Sequence, residues 1–291
     1  MTARAASELR LFAVTAPGLQ EIAAGELRSL GMAVTGVEPE GVSFRGTPAD
    51  LYRANLWVRT VSRVVARVGE FHARRFDELE RHARRQPWER FVRAGAPVRL
   101  RVTCRKSRLY HSDAVAERVA AAIAFRTDGD AASGAGRGVP DAGHRGSGRG
   151  SSERDGQGEG DEARGDDDAL GQLVIVRLLR DVCTVSIDSS GALLHRRGYR
   201  LAGARAPLRE TLAAGTLLAS GWPGNVPLLD PLCGSGTIPI EATLIARNIA
   251  PGARRGFAFM QWPDFDNRAW ASLLADAAAR ELPAAPAPIH G

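Results

Sequence analysis

Cysteine, lysine and long apolar runs are scarce in this 291-residue chain, and each scarcity excludes a class of protein. The three cysteines lie far apart and show no Cys-x-x-Cys spacing, so neither a disulfide scaffold nor a metal site is expected; they are Cys104, Cys183 and Cys233. No stretch approaches the roughly 18–20 apolar residues that span a bilayer. The first ten residues lack the apolar centre of a signal peptide. We therefore expect a cytoplasmic protein without a membrane partner.

The remaining composition is that of a folded protein. Hydrophobic residues make up 44% of the chain and charged residues 25%, which excludes a wholly disordered, collagen-like or coiled-coil protein. The length predicts about two domains of average size. A packed core is therefore expected.

Positive charge is concentrated in one part of the chain. Residues 53–108 include 16 basic and 5 acidic residues, a net charge of +11. Such a density on a folded surface attracts a polyanion, so RNA or DNA is an expected partner. The alternative is a solvated face in an arginine-rich protein, since Lys106 is the only lysine.

An insertion is predicted at residues 127–168. This segment has 12 glycines, no aromatic residue and one large aliphatic residue, Val139. It cannot bury enough apolar surface to offset its ordering entropy, and we expect it to be disordered. Its 5 basic and 11 acidic residues give a net charge of −6, which suggests that it competes with RNA for the basic surface.

Hydrophobic periodicity divides the remainder into three parts. An α+β pattern is predicted up to about residue 70, in the order strand, helix, strand, strand, helix, strand. Gly31 is expected to end the first of these helices. Before the insertion, helices are predicted over 76–85 and 88–93, a strand over 97–104 and a longer helix over 112–125. Two strands, over 173–178 and 182–187, are predicted after it. The last part begins with the basic stretch 195–200, followed by a helix over 208–218 with Pro207 at its first position.

A strand, a glycine-rich loop and a helix follow near the C-terminus. The apolar run 226–229 ends at Asp230, and the loop 231–237 leads into a helix over 238–249. This order places backbone N–H groups and a helix N-terminus where α/β folds bind ligands. A P-loop and the third glycine of a dinucleotide fingerprint are both absent. An acidic residue before a Gly-x-Gly turn suits a cationic amino-acid ligand such as S-adenosyl-L-methionine, although a tight structural turn is the alternative.

Four stretches resemble one protein family, in the family's order. Asp230–Ala242 resembles the first cofactor motif of the THUMP-domain RNA methyltransferases, specifically the guanine-N2 methyltransferases of 23S rRNA. Pro17–Leu19 resembles their ferredoxin-like unit, Thr103–His111 their THUMP core and Asp188–Arg200 the junction before their catalytic domain. The implied fold is α+β followed by partial α/β. It comprises a ferredoxin-like unit (1–70), an RNA-binding THUMP domain (71–190), and a junction with an incomplete Rossmann-like methyltransferase domain (191–291).

The resemblance also implies two sets of site residues. The cofactor, S-adenosyl-L-methionine, would lie against a loop and the helix behind it, formed by Asp230, Cys233, Gly234, Ser235, Gly236, Thr237 and Glu241. RNA would contact the THUMP surface through Arg105, Lys106, Arg108 and His111, and the junction through Arg196, Arg197 and Arg200. The three junction arginines have an alternative role, which is to brace one domain against the other. A single histidine such as His111 is often structural.

The chain departs from the family at its catalytic motif. An Asn or Asp followed by Pro-Pro-Tyr or Pro-Pro-Phe, which would hold a flipped guanine, is absent, so no catalytic residue is assigned. The sequence also ends just as a second strand of the methyltransferase sheet begins. We therefore expect a truncated enzyme that is inactive alone. The alternatives are a non-catalytic RNA-binding module and a tRNA guanine-N2 methyltransferase.

Overall fold

The computed structural model describes residues 8–127, 171–200 and 207–291. The predicted insertion lies outside these residues, except for Thr127, which is the last residue of a helix. Within the described ranges, no helix is long and apolar enough to cross a bilayer.

The first unit has the predicted order of strands and helices. Its four strands pair antiparallel in the order β2-β3-β1-β4, with two helices packed on them. The elements are β1 (Leu9–Thr15), α1 (Gln20–Ser29), β2 (Ala33–Glu38), β3 (Gly41–Gly46), α2 (Pro48–Trp57) and β4 (Val61–His72). The ferredoxin-like α+β arrangement expected from the sequence is confirmed.

Local sequence determines where these helices begin and end. Thr47 and Asp50 form a reciprocal capping box at the start of α2, where Pro48 occupies the first turn. Gly31 follows α1 with φ = +79°, a conformation that glycine adopts without steric cost. The prediction that Gly31 ends this helix is confirmed.

The second unit extends the same sheet. Strand β4 pairs antiparallel with β7, giving seven strands in the order β2-β3-β1-β4-β7-β6-β5, of which β5 and β6 are parallel. The added elements are α3 (Phe76–Ala83), a 3₁₀ turn (Trp88–Arg90), β5 (Val98–Arg105), α4 (Ser112–Thr127), β6 (Gln172–Leu179) and β7 (Val182–Asp188). The helix expected over 88–93 is only this 3₁₀ turn. The expected domain boundary at residue 70 lies within β4, so the sheet is continuous across it.

The last part contains a small parallel α/β arrangement. Strands β8 and β9 pair in parallel, and the chain between them forms two helices. The elements are α5 (Glu210–Ala219), β8 (Leu228–Leu229), α6 (Thr237–Ala246), a 3₁₀ turn (Ala258–Gln261), α7 (Asn267–Ala279) and β9 (Ile289–His290). Arg209 is the N-cap of α5, so the expected first helical position at Pro207 is wrong. Helix α6 ends three residues earlier than expected, and Asn248 just beyond it has φ = +53°.

An aromatic cluster joins this last part to the first unit. The ring of Tyr52, on α2, lies 4.5 Å from that of Phe259, 5.6 Å from that of Phe265 and 6.4 Å from that of Trp270. Phe259 and Trp270 therefore belong to the main hydrophobic core. No pattern in the sequence predicts α7 or this packing. Residues beyond 191, expected to form a junction and an incomplete methyltransferase domain, also add side chains to the core of the first sheet.

A buried ion pair lies where the second unit meets the junction. Asp188, at the end of β7, is fully buried and accepts the guanidinium of Arg63 from β4. Its carboxylate also accepts the backbone N–H groups of Ser190 (3.1 Å) and Gly191 (2.8 Å). Burial raises the pKa of Asp188 in spite of these partners.

Two serines extend this polar network to α2. Asn55 donates to the Ser189 hydroxyl (2.9 Å), and its amide oxygen accepts the Ser190 hydroxyl (2.7 Å). The Ser189 hydroxyl donates to the carbonyl of Val64 on β4 (2.7 Å). The Ser189 carbonyl accepts the N–H of Phe259 (3.1 Å). The start of the junction stretch Asp188–Arg200 therefore lies in a buried hydrogen-bond network that joins β4, α2 and the last part of the chain.

We predict that Arg63→Met destabilises the protein by about 3–5 kcal/mol, because it leaves the Asp188 carboxylate buried without its cation. Arg53→Met is the control, since the partly exposed Arg53–Asp50 pair (2.9 Å), a neighbour pair on α2, contributes at most about 1 kcal/mol. Chemical denaturation of both variants measures the difference.

The Arg63–Asp188 pair also makes the cost of Arg63→Met depend on pH. Loss of Arg63 raises the folded-state pKa of Asp188 further, and a raised pKa means that stability is lost as the pH rises. The cost of Arg63→Met should therefore be larger at about pH 8 than at about pH 5. Equal costs at both pH values, or equal effects of the two substitutions, would contradict this role.

Candidate functional site

The glycine-rich loop follows β8 and leads directly into α6. Pairing of β8 with β9 continues one residue further, because the N–H of Asp230 donates to the carbonyl of His290 (2.9 Å). The Asp230 carboxylate accepts the N–H of Leu232 (3.1 Å), which turns the chain away from the strand. Gly236 then donates to the carbonyl of Cys233 (2.8 Å), so the loop is a compact turn.

Two glycines in this loop have left-handed backbone conformations. Gly234 has φ = +54° and Gly236 has φ = +75°, and Gly236 is the N-cap of α6. Among the described residues, no atom lies within 4 Å of the position that a Cβ on Gly234 would occupy. No side chain of those residues covers the backbone at Gly234, so a ligand can approach it closely. The N–H groups of the first turn of α6 are available to an anion.

The expected cofactor fits this geometry. An amino acid with a carboxylate and an ammonium group needs an anion site and a nearby acid. The start of α6 supplies the first, and Asp230 supplies the second at the end of β8. Ser235 and Thr237 place two hydroxyls 3.3 Å apart at the same turn. Of the predicted cofactor residues, those from Asp230 to Gly236 lie together on one loop, and Thr237 is the buried first residue of α6.

Glu241 lies behind the loop, in the protein interior. It is fully buried on α6, accepts the Tyr199 hydroxyl (3.1 Å) and pairs with Arg197 (3.6 Å). Arg197 also donates to the carbonyls of Leu194 (2.6 Å) and Arg59 (2.5 Å). In this structure the contacts of the Glu241 carboxylate are with Tyr199 and Arg197, behind the loop.

Arg59 connects this cluster to the first unit. Its guanidinium donates to the carbonyl of Ile249 (2.8 Å), just beyond α6. The backbone N–H groups of Arg59 (2.8 Å) and Thr60 (3.0 Å) donate to the carboxylate of Glu26 on α1. Helix α6, which begins at the glycine-rich loop, is therefore fixed to α1 and to the start of β4.

Burial has the largest effect on the pKa values of the charged groups in this cluster. It raises the pKa of Glu241 although Arg197 and Arg59 oppose the shift, and it lowers the pKa of Arg59 to about 10. Buried ion pairs of this kind contribute little net stability, because desolvation offsets the attraction. We interpret the cluster as a means of orienting α6.

The junction arginines have different environments. Arg197 is 4% exposed, so its assignment to an RNA surface is corrected, and the alternative bracing role is the one that its contacts support. Arg200 is partly buried and donates to Glu210 (2.5 Å) and Thr237 (2.9 Å). It therefore braces the start of α6 against α5. Arg196 is half-buried, and its carbonyl accepts the guanidinium of Arg255 (3.1 Å).

The predicted THUMP residues share one exposed loop. This loop connects β5 to α4, and all four side chains are exposed: Arg105, Lys106, Arg108 and His111. Among the described residues, no cluster of His, Cys, Asp and Glu has the arrangement of a metal site.

Two family models match the chain. The RlmL ferredoxin-like domain matches residues 10–65, and the RMKL-like methyltransferase domain matches residues 197–287. A Synechocystis protein named as an RNA methyltransferase is 36% identical over 96% of this chain and 66% of its own length. The chain belongs to the RMKL-like methyltransferase family.

Other relatives of this RMKL-like chain are longer. The large-subunit rRNA methyltransferase K/L of Syntrophotalea carbinolica is 34% identical over 94% of this chain but 35% of its own length. The chain thus spans about two thirds of the Synechocystis relative and about a third of the K/L enzyme.

Solved structures confirm the methyltransferase fold of the RMKL-like chain. A Listeria monocytogenes protein, named as an N6-adenine-specific DNA methylase, has a TM-score of 0.76 and 34% identity over 94% of this chain and 65% of its own. SMU.472, named as a methyltransferase and complexed with SAH, has a TM-score of 0.74 and 29% identity over the same shares. S-adenosylmethionine as the family's cofactor is thereby confirmed.

Several positioning residues of the RMKL-like chain escaped the sequence analysis. Arg59 and Glu26 are 33 residues apart and meet only in the folded molecule. Tyr199 lies in the junction stretch, but nothing in the sequence indicates its hydrogen bond to Glu241. Because their partners are distant in sequence or are backbone carbonyls, no spacing pattern marks them.

We predict that Gly236→Ala destabilises the protein by about 1–2 kcal/mol, because an L-residue resists the left-handed conformation. The nearest atom to the added Cβ is Ile240 Cδ1 at 3.8 Å, so the cost is one of backbone strain and not of a clash.

Gly256→Ala is the matched control for this substitution. Gly256 lies outside the left-handed region, and no atom of the described ranges lies within 4 Å of an added Cβ. Gly256→Ala should therefore change the stability of the protein little. Thermal unfolding of both variants checks the prediction, and equal changes would contradict it.

Proposed function

We propose that this chain provides the RNA-docking surface and the methionine-binding loop of an S-adenosylmethionine-dependent methyltransferase of 23S rRNA, acting on guanine N2. The observation that carries the proposal is the open Gly-x-Gly loop between Asp230 and α6, in a chain that also exposes a basic loop. The names of the K/L relatives favour rRNA over tRNA as the substrate.

In this proposal the loop binds the amino-acid part of the cofactor. The N–H groups at the start of α6 receive the cofactor carboxylate, and Asp230 receives its ammonium group. Ser235 offers an exposed hydroxyl to the same ligand, and Cys233 lines the turn. Thr237 is buried and accepts Arg200, so it positions the first turn of α6. When bound, S-adenosylmethionine supplies a methyl group on a sulfonium, which is a good leaving group. The chain's own contribution is therefore orientation.

The RNA part of the proposal rests on the loop between β5 and α4. Its exposed cations suit the phosphates of an RNA backbone, with arginine forks matched to the phosphate oxygens. We assign residues 71–190 to a THUMP domain on this basis. Arg196 remains a further RNA contact in the proposal, whereas Arg197 and Arg200 brace α6.

A non-catalytic RNA-binding protein is the second candidate function. It is favoured by one observation, the exposed cations between β5 and α4, which suit RNA phosphates whether or not a cofactor binds. Both candidates predict RNA binding, but only the first predicts a functional cofactor loop. Cofactor binding therefore separates them.

For the cofactor loop, we predict weak, saturable binding of SAH to the full chain, with chemical-shift changes at Gly234 and Gly236. Asp230→Asn should weaken binding about tenfold or more, because it removes the charge that pairs with the ammonium group. Asp276→Asn, at an exposed position of α7, is the control. Titration followed by NMR measures both, and shifts confined to other parts of the chain would contradict the assignment.

For the RNA surface, we predict that the full chain binds a 23S rRNA fragment with an affinity that falls steeply as salt increases. Arg105→Ala and Arg108→Ala should each reduce the slope of log K against log salt by about 0.7–0.9, the value for one phosphate contact. Arg254→Ala, an exposed arginine near the C-terminal helices, should leave the slope unchanged. Binding that does not depend on salt would contradict the proposal.

A further inference from the structure

Tyr110 and His111 form an exposed aromatic pair in the basic loop. The Tyr110 side chain is 69% exposed, and its ring centroid lies 4.0 Å from that of His111, with a tilt of 42°. Large aromatic rings are normally at least half-buried, so the exposure of this ring suggests that it contacts a ligand. The neighbouring cations, described above, are exposed on the same loop.

The loop that presents this pair is held rigidly by the β6–β7 turn. Asp181 in that turn accepts the N–H of Arg108 (2.7 Å), and its own N–H donates to the Ser107 hydroxyl (3.0 Å). Leu109, between Arg108 and Tyr110, is 6% exposed and anchors the loop in the core. The backbone that carries the Tyr110 ring is therefore held in place before any ligand arrives.

Backbone strain is concentrated at the same place. Lys106, Arg180 and Asp181 have φ values of +50°, +52° and +64°, which L-residues rarely adopt. Arg180 also donates its N–H to the carbonyl of Arg105 (3.2 Å), so the strained residues belong to two loops that contact each other. Strain of this kind persists where surrounding structure enforces it and often accompanies a binding surface.

We propose that Tyr110, backed by His111, stacks against an unpaired base of a single-stranded RNA segment whose phosphates contact the neighbouring cations. This inference rests on the proposed RNA-binding function and adds the class of RNA that this loop recognises. In duplex RNA the bases are already stacked on each other, whereas the faces of unpaired bases are free to stack on aromatic side chains. A rigid exposed ring among cations therefore suits a single strand, such as a loop or bulge, and not a continuous duplex.

The test compares two RNA probes with the full chain. One is a single-stranded uridine oligonucleotide, and the other is a blunt duplex of the same length. Tyr110→Ala should weaken binding of the single strand roughly tenfold and leave the salt slope unchanged, because stacking releases no counterions. Binding of the duplex should be unaffected. Tyr110→Phe should retain wild-type affinity, because it keeps the ring.

Phe125→Ala is the matched control for removal of an aromatic side chain. Phe125 is 46% exposed on α4, and the guanidinium of Arg84 lies 4.5 Å from its ring centroid. Its removal should not change RNA affinity. Circular dichroism melting of each variant checks that the fold is retained.

The possible results separate the two proposals. If the wild-type chain binds neither probe, the RNA-binding function itself is wrong. If it binds RNA and Tyr110→Ala has no effect, or weakens both probes equally, the stacking role is overturned while RNA binding stands. A loss confined to the single strand supports the stacking role.

Discussion

The buried carboxylate of Asp188 is the interaction on which the arrangement of this molecule depends. It lies at the end of β7, receives Arg63 from β4 and holds the backbone N–H groups that begin the junction. Because β4 also pairs with β1, one strand links both halves of the seven-stranded sheet. Asn55 connects the same junction to α2. The units recognised in the sequence are thus parts of one continuous core.

This core also controls the orientation of the candidate cofactor loop. The loop itself has few contacts and is open on one side, but α6 behind it is held through Glu241, Arg197 and Arg59. Arg200 adds a contact to Thr237 at the first turn of that helix. Rigid support behind an open loop is the arrangement expected for a site that must hold a flexible ligand in one orientation. The loop between β5 and α4, for which we propose RNA binding, follows the same principle, with Asp181 and Leu109 as its supports.

Local patterns in the sequence predicted most of the secondary structure and the cofactor loop. The capping residues of α2, the glycine after α1 and the strand–loop–helix order around Asp230 all depend on neighbours in sequence. The sequence did not reveal the packing of Phe259 and Trp270 against Tyr52, because residues 250–279 show no sign of which surface they cover. It also left the role of Arg197 open, since a buried bracing arginine and an exposed RNA-binding arginine look alike in a basic stretch. Only the fold distinguishes them.

The most direct test of the account is ultraviolet crosslinking of the full chain to large-subunit rRNA, followed by mass spectrometry of the crosslinked peptides. The account predicts crosslinks within the loop from Arg105 to His111, and none at the buried Arg197. Crosslinks confined to other surfaces, or none at all under low-salt conditions, would contradict the central claim that this loop docks RNA.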